Sequence, residues 1–242
     1  MENSTTGLKP GSLSARDRIK SYVIRAGRMT AIQKDALARL YPLYGFDWQP
    51  GRKLGPSDIL NANSKFVLEI GFGMGQATLE IAKTLPDTAF LGIDVHAPGV
   101  GKLLSEIEAQ NIKNLKLIKH DAVEVLTSMI TENSVDGFNI FFPDPWPKKR
   151  HHKRRLINKS FVKLLASRLK PGAYIYFVTD WEEYAERAME VFSEEAGLAN
   201  PFALWAEKQS WRPVTKFEKR ALSDGRAIKE LYFIKPPASS SV

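Results

Sequence analysis

The chain has 242 residues and a mass of 27.2 kDa, which suits one domain of ordinary size with short appendages. Hydrophobic residues make up 43% of the chain and charged residues 26%, which argues against wholesale disorder and against a fibrous fold. The absence of cysteine excludes disulfides, thiolate metal sites and a cysteine nucleophile, and it suits a reducing compartment. The formal net charge of +8 favours a polyanionic partner.

Nothing in the sequence predicts insertion into a membrane. No apolar run approaches the ~20 residues that span a bilayer, and the polar N-terminus lacks the apolar core of a secretory signal. No motif suggests a metal site. We therefore expect a cytoplasmic protein with neither a membrane nor a metal ion as partner. The choice between monomer and dimer stays open, with a monomer favoured.

The segment 1–63 is predicted to be a basic N-terminal extension. Its start is rich in Ser, Thr, Gly and Pro, which predicts partial disorder. Thr30 is expected to cap a helix that runs through Leu40 and ends at Pro42. Five basic residues precede that helix and suit either a solvated tail or an arm that touches RNA: Arg16, Arg18, Lys20, Arg25 and Arg28.

Strands and helices alternate after residue 64. Apolar runs predict strands at 66–70, 89–94, 115–119, 135–142 and 173–179. Helices are expected at 76–84, 98–110, 122–130, 158–169 and 181–195, with one or two closing strands near 204 and at 230–234. This alternation predicts an α/β fold at 64–235, with a parallel sheet covered on both faces and a disordered tail at 236–242. Ligands of such sheets lie beyond the carboxyl ends of the strands, where the winding reverses.

A glycine-rich loop joins the first strand to the first helix. Its sequence, Glu69-Ile-Gly71-Phe-Gly73-Met-Gly75, lets a ligand approach the backbone without meeting a Cβ atom. In a dinucleotide fingerprint the third glycine comes one residue later, where this chain has Gln76. The Glu69 carboxylate would also repel a phosphate, so the loop favours a cofactor that has a cation and no phosphate. S-adenosylmethionine fits that description, with the backbone at Gly71 among its contacts, and an NAD-dependent enzyme is the alternative.

Aspartates follow the next two strands. Asp94 is expected to accept hydrogen bonds from both ribose hydroxyls of the cofactor, and Asp121 from the exocyclic amine of its adenine. The alternative for each aspartate is a helix N-cap. A glycine-rich turn alone is weak evidence, but the turn together with these acids favours a cofactor site.

A proline-rich loop follows the fourth strand. The three prolines of Pro143-Asp-Pro-Trp-Pro147 stiffen the backbone, so the loop should present Asp144 and Trp146 rigidly at the ligand edge. Six of the next eight residues, 148–155, are Lys or Arg. Such a run is usually a solvated face, but beside this loop it favours contact with a phosphate backbone while Trp146 stacks on a base.

Together these motifs resemble the bacterial tRNA (guanine-N7-)-methyltransferases. The resemblance rests on the glycine loop, Phe142-Pro-Asp-Pro-Trp146 with its basic run, Thr179-Asp-Trp181, and Arg212-Pro-Val-Thr-Lys-Phe-Glu218, and it covers residues 64–235. It implies a Rossmann-like seven-stranded methyltransferase sheet, S-adenosyl-L-methionine as methyl donor, and tRNA as partner. The acceptor it implies is a guanine in the variable loop of the tRNA.

The resemblance also implies roles for individual residues. The catalytic residue would be Asp144, and the cofactor contacts would be Glu69, Asp94, Asp121 and Asp144, although some family members have Glu at the position of Asp94. The substrate contacts would be Lys148, Asp180, Thr215, Lys216, Phe217 and Glu218. The RNA contacts would be Arg150, His151, His152, Lys153, Arg154 and Arg155. Two alternatives are structural: Asp180 as a helix N-cap, and Phe217 as a core residue of a C-terminal strand.

The expected reaction needs no general base at the acceptor atom, because guanine N7 carries a lone pair and no proton. Holding N7, the methyl carbon and the sulfur in line should supply most of the rate enhancement. Asp144 is expected to orient the guanine and to stabilise the positive charge that develops on its ring. The alternatives are methyl transfer to another RNA or a different acceptor, and a non-catalytic RNA-binding module.

Overall fold

The computed structural model of the chain describes residues 19–23 and 28–237. Six strands form one sheet in these residues: β1 (Lys65–Ile70), β2 (Thr88–Ile93), β3 (Leu115–Ile118), β4 (Val135–Phe141), β5 (Leu169–Thr179) and β6 (Lys229–Ile234). Their order is β3-β2-β1-β4-β5-β6, in which the first five strands are parallel and β6 is antiparallel to β5. The winding reverses between β1 and β4, so the ligand edge lies at the carboxyl ends of these two strands.

Helices cover both faces of the sheet. One face carries α1 (Ala31–Tyr44), α2 (Gln76–Thr84) and α3 (Ala97–Ala109). The other carries α4 (Ala122–Ser128), α5 (Lys159–Arg168) and α6 (Glu182–Ser193). A short helix, α7 (Lys216–Ser223), precedes β6. None of the described helices is long and apolar enough to cross a membrane.

The described part of the segment before β1 packs into this fold. A capping box starts α1, because the Thr30 hydroxyl accepts the Gln33 N–H at 3.2 Å and the Gln33 side chain accepts the Thr30 N–H at 2.9 Å. Ala36 and Leu40 are buried on the α3 face of the sheet. The domain boundary at residue 64 stays a prediction. Three of the basic residues of the predicted arm lie outside the described residues: Arg16, Arg18 and Arg25.

The prediction that Pro42 ends α1 is wrong. The helix continues to Tyr44, and the Gly45 N–H donates to the Tyr41 carbonyl at 2.7 Å. Pro42 lies in the last turn, where its missing N–H costs only the hydrogen bond to the Ala38 carbonyl. Only two helical residues follow Pro42, so the helix loses this one hydrogen bond and ends at Tyr44.

The expected seventh strand does not form in the described residues. The chain before β6 bonds to it at Ala199 and at Ala206. Between those points Pro201 has no N–H to donate, and the Asn200 side chain bonds to two nearby backbone groups. Leu204 is exposed. The ladder is therefore interrupted, and β6 is the single closing strand of the sheet.

Candidate active site

Backbone hydrogen bonds align the carboxyl ends of the strands. The Gly71 N–H donates to the Ile93 carbonyl at 2.8 Å, and the Asp94 N–H donates to the Ile118 carbonyl at 3.1 Å, which links the ends of β1, β2 and β3. The Phe142 N–H donates to a carbonyl of β5 at 2.7 Å. The loops that carry the predicted site residues therefore leave the same edge of the sheet.

The glycine loop provides open space beside its backbone. Gly71 and Gly73 have φ angles of 78° and 59°, and a Cβ atom added to either would have no neighbour within 4 Å. A ligand can therefore approach this backbone closely. Gly75 serves helix packing instead, since a Cβ there would lie 2.7 Å from Leu103 of α3. The contact between α2 and α3 thus accounts for the early third glycine.

Glu69 lies directly before this loop in a buried position. Its side-chain atom Oε2 has no hydrogen-bond partner among the described residues, and the same holds for Nδ2 of Asn139, which lies opposite it in the register of β1 and β4. Burial raises the pKa of Glu69 to about 8, and the negative charge of Asp94 contributes to the rise. Buried polar atoms rarely lack partners. Beside an open glycine loop, the unpartnered oxygen of Glu69 suits the amino group of S-adenosylmethionine, and the unpartnered N–H of Asn139 suits an acceptor such as the carboxylate of the same ligand.

Asp94 ties the end of β2 to the glycine loop. Its carboxylate accepts the Gly73 N–H at 2.7 Å through Oδ2 and the His96 N–H at 2.8 Å through Oδ1, and burial raises its pKa. The alternative of an N-cap is wrong for Asp94, because His96 caps α3. A carboxylate has about four acceptor sites, so Asp94 can accept a further hydrogen bond from a ribose hydroxyl. That contact stays a prediction.

Asp121 is the N-cap of α4, as its structural alternative proposed. Its Oδ1 accepts the Val123 N–H at 3.0 Å and the Glu124 N–H at 3.2 Å, and the residue is buried. Its contact with the cofactor stays a prediction.

The described N-terminal residues 19–23 lie against this site. The Ser21 carbonyl accepts the indole N–H of Trp146 at 3.1 Å. Burial and then the charge of Asp121 raise the pKa of Tyr22. These contacts could not be predicted, because no local pattern relates residues 125 positions apart.

The loop after β4 is strained at both ends. Phe142 and Trp146 have φ angles of 49° and 47°, in the left-handed region, which costs about 1–3 kcal/mol for each non-glycine residue. Asp144 lies between them and is exposed. The Arg154 guanidinium lies over the Trp146 ring, 5.2 Å from its centroid. The loop therefore presents a carboxylate and a cation-covered indole at the ligand edge.

The basic run forms a 3₁₀ helix over Lys149–Arg154. Lys148, Arg150 and Lys153 are exposed, and their predicted contacts with substrate or RNA stay predictions. Arg155 differs from them because it is 4% exposed and its guanidinium is directed into the protein. The RNA contact of Arg155 stays a prediction, and the burial of its guanidinium indicates a role inside the fold.

Asp180 forms an ion pair with Arg226, which follows α7. The alternative that it caps the next helix is wrong, since Trp181 occupies the N-cap position of α6. The pair joins the end of β5 to the C-terminal segment. It also holds the Asp180 carboxylate in place at the ligand edge.

A buried arginine organises the C-terminal motif. Arg212 is 2% exposed and donates to both oxygens of Glu218, at 2.6 and 3.0 Å. It also donates to Glu230 at 2.7 Å and to the Tyr176 hydroxyl at 3.1 Å. Glu218, a predicted substrate contact, is thus a buried partner of Arg212 in the described structure.

The same motif starts α7 and exposes part of it. Thr215 is the N-cap and accepts the Glu218 N–H at 3.0 Å. Phe217 is 68% exposed, so the alternative that it belongs to the core of a strand is wrong. Lys216 beside it is also exposed. Contacts of these residues with a substrate stay predictions.

Comparison with solved structures shows the same fold in other methyltransferases. A 16S rRNA (adenine(1408)-N(1))-methyltransferase from Catenulisporales acidiphilia aligns with a TM-score of 0.54 and 14% identity, covering 80% of this chain and 98% of that one. TrmN from Thermus thermophilus aligns with a TM-score of 0.51 and 18% identity, covering 84% of this chain and 48% of that one. At these identities the likeness concerns the fold alone.

Comparison with known sequences is more specific. Residues 63–231 match the family described as "Putative methyltransferase". The tRNA (guanine-N(7)-)-methyltransferase of Paraburkholderia xenovorans is 48% identical over 236 residues, which cover 97% of this chain and 90% of that one. The enzyme of the same name from Nitrosomonas eutropha is 46% identical and covers 92% of this chain and 99% of that one. Identity of this extent shows that the chain, an S-adenosylmethionine-dependent methyltransferase, belongs to the tRNA (guanine-N(7)-)-methyltransferase family.

Proposed function

We propose that this chain transfers the methyl group of S-adenosylmethionine to N7 of a guanine in the tRNA variable loop, by in-line attack and without a general base at N7. The position of Asp144 carries the proposal. β1 and β4 are neighbours in the sheet, so the glycine loop and the Asp144 loop flank the point where the winding reverses. A carboxylate on a stiff loop therefore faces the same edge as the predicted cofactor residues.

The residues present suit each part of the cofactor. When bound, S-adenosylmethionine supplies an electrophilic methyl group on a sulfonium sulfur. Glu69 would hold its cationic amino-acid part, while Asp94 and Asp121 would bind its ribose and adenine. Gly71 and Gly73 leave the space beside the loop open.

On the acceptor side, the chain has to position a base and stabilise its charge. Guanine N7 has no proton to lose, so Asp144 acts on the charge that develops in the ring. Asp180 is paired with Arg226, and its carboxylate can still accept hydrogen bonds from the N–H groups on the edge of the guanine. Lys148 and the exposed basic residues after it would bind the phosphate backbone.

The direct test is to map the methyl group. Unmodified tRNA and ribosomal RNA are each incubated with the chain and labelled S-adenosylmethionine, and the RNA is then cleaved chemically at 7-methylguanosine. We expect one cleavage site, in the variable loop of tRNA. Label at another position or in ribosomal RNA would favour the alternative acceptor, and no label in either RNA would contradict the proposal.

The exposed basic residues should set the salt dependence of tRNA binding. Lys153→Gln is expected to reduce the slope of log K against log salt by about one, because one phosphate contact is lost. Binding is measured between about 50 and 200 mM salt. The control is Lys113→Gln, which removes an exposed lysine at the amino end of β3. Equal slopes for the two variants would exclude Lys153 from the RNA interface.

Binding of the cofactor should release a proton from Glu69. Its pKa is about 8 in the ligand-free chain, so the carboxyl group is mostly protonated at pH 7, and a cation beside it favours the ionised form. Ionisation of Glu69 is therefore expected to strengthen S-adenosylmethionine binding as pH rises to about 8, while loss of the proton of the ligand's own amino group opposes this gain in the same range. Calorimetry in two buffers of different ionisation enthalpy measures the release.

Glu69→Gln is the control for this titration. It leaves the titration of the ligand's own amino group unchanged and removes that of the side chain. We expect the variant to lose the proton release that the wild type shows between pH 6 and 8, about the range set by the raised pKa. Identical pH profiles for the two proteins would mean that Glu69 does not contact the cation.

A further inference from the structure

Arg155 holds the strained loop from inside the protein. Its side chain is 4% exposed, and Nε donates to the Pro145 carbonyl at 2.8 Å. Pro145 lies between Asp144 and Trp146, and proline has no N–H through which the backbone could be held at that residue. Arg155 therefore fixes the backbone at the tip of the loop through the carbonyl of Pro145.

The other end of the guanidinium is anchored on α6. Nη1 and Nη2 donate to the two carboxylate oxygens of Glu183 at 2.9 and 2.5 Å. The guanidinium carbon lies 4.8 Å from the centroid of the Tyr184 ring, and the Tyr184 hydroxyl accepts the Ile157 N–H at 3.2 Å. The pair lowers the pKa of Glu183, so its carboxylate is charged at neutral pH. A planar group with donors on both sides therefore bridges the loop and the helix.

We propose that Arg155 and Glu183 form a brace that positions Asp144 for methyl transfer. The inference rests on the proposed function, because it concerns the residue that acts on the guanine. Arg155 is a positioning residue in this account and touches neither cofactor nor tRNA. Within the run 148–155, the exposed Lys148, Arg150 and Lys153 would then meet RNA, and the buried Arg155 fixes the loop.

The strain in the loop gives the brace its effect. Phe142 and Trp146 are held in left-handed conformations, which are unfavourable for residues other than glycine. Without contacts that hold them, both residues would relax to more favourable backbone angles. The loop is strained at the residues that flank Pro143 to Pro145, so its relaxation would move Asp144 most. A displacement of about 1 Å at a reacting group can cost about 100-fold in rate.

Arg155→Lys separates this role from an RNA contact. Lysine keeps the positive charge that a phosphate would attract, but its single ammonium group cannot serve the Pro145 carbonyl and both oxygens of Glu183 together. As a brace, Arg155→Lys should lower kcat by about 30- to 100-fold while the salt slope of tRNA binding stays at the wild-type value. As a phosphate contact, the same variant should retain kcat.

Arg168 is a matched control for a purely structural role. It is 8% exposed, its Nε donates to the Leu126 carbonyl at 2.9 Å, and its Nη1 donates to Glu132 at 3.0 Å. It lies at the amino end of β5, away from the ligand edge. Arg168→Lys should lower the melting temperature about as much as Arg155→Lys does, yet leave kcat within about twofold. If both variants lose the same fraction of kcat, Arg155 merely stabilises the fold and the proposal is wrong.

Two further measurements keep the test decisive. Glu183→Gln retains a hydrogen-bond acceptor and should lower kcat by about 3- to 10-fold, so it serves if Arg155→Lys does not fold. Hydrogen exchange of the Phe142 amide, which donates to the Val178 carbonyl at 2.7 Å at the start of the loop, should speed up in Arg155→Lys and not in Arg168→Lys, whichever RNA the enzyme methylates. Failure of the proposed function would show as a wild-type enzyme that does not methylate tRNA, whereas failure of the brace would show as unchanged exchange of the Phe142 amide in Arg155→Lys.

Discussion

Asp144→Asn is expected to lower kcat for methyl transfer by about 100- to 1,000-fold at saturating S-adenosylmethionine and tRNA. The substitution keeps the shape of the side chain and one acceptor oxygen, and it removes the negative charge. Methylation of N7 places a positive charge on the guanine ring, and a fixed carboxylate beside that ring stabilises the charge as it develops. Rapid-quench measurement of a single turnover reports this step directly.

The control for Asp144→Asn is Asp87→Asn. Asp87 is exposed directly before β2, at the edge of the sheet opposite the site, so its substitution changes the net charge equally. Both variants should bind tRNA about as tightly as the wild type, within about twofold, and Asp87→Asn should retain its kcat. If Asp144→Asn keeps most of its single-turnover rate, charge at this position matters little, and Asp144 only orients the base.

The sequence predicted the part of the fold that local patterns determine. α2 begins and ends where its pattern predicts, and the predicted strands β1 to β5 all form, because apolar runs between glycines and prolines mark buried parallel strands. The loops between them carry the predicted acids. Their common edge follows from parallel topology, which the alternation of strands and helices already implied.

α7 was not predicted, because ion pairs anchor it and its apolar side chains are mostly exposed. Its buried residues are Glu218 and Ala221, while Phe217 and Leu222 face solvent. A search for an apolar face therefore finds no helix at this position. The spacing of Thr215 and Glu218 was a usable signal, since Thr-x-x-Glu marks the start of many helices.

The groups that the charged side chains contact could not be predicted from the sequence. Arg154 and Arg155 are identical neighbours in a basic run, yet one lies over Trp146 and the other is buried against α6. The environment of Arg155 depends on Glu183, which lies 28 positions further along the chain. Side-chain type predicts which chemistry is present, whereas burial decides whether a cation meets RNA or the protein's own backbone.

Arg212→Met is expected to destabilise the protein by about 3–5 kcal/mol, the largest stability effect that we predict. Arg212 is the buried cation between Glu218 and Glu230, both of them also buried. Without it, Glu230 would remain in the interior with no cation beside it, and Glu218 would keep only the partly exposed Lys208, whose Nζ lies 3.8 Å from Oε1. The Tyr176 hydroxyl donates to Glu230, but a neutral group cannot replace the guanidinium. Unfolding in urea at pH 7 measures the loss.

The pH dependence of Arg212→Met distinguishes buried charge from lost packing. Uncompensated carboxylates can enter the interior by binding protons, so the variant's deficit relative to the wild type should shrink between pH 8 and pH 5. A deficit that does not change with pH would point to lost packing instead. Arg187→Met is the control, because Arg187 pairs with Glu190 on the surface, where such a pair contributes about 0–1 kcal/mol. Replacing Glu218 and Glu230 with Gln in the Arg212→Met background should restore part of the stability, since the interior then holds no unpaired charge.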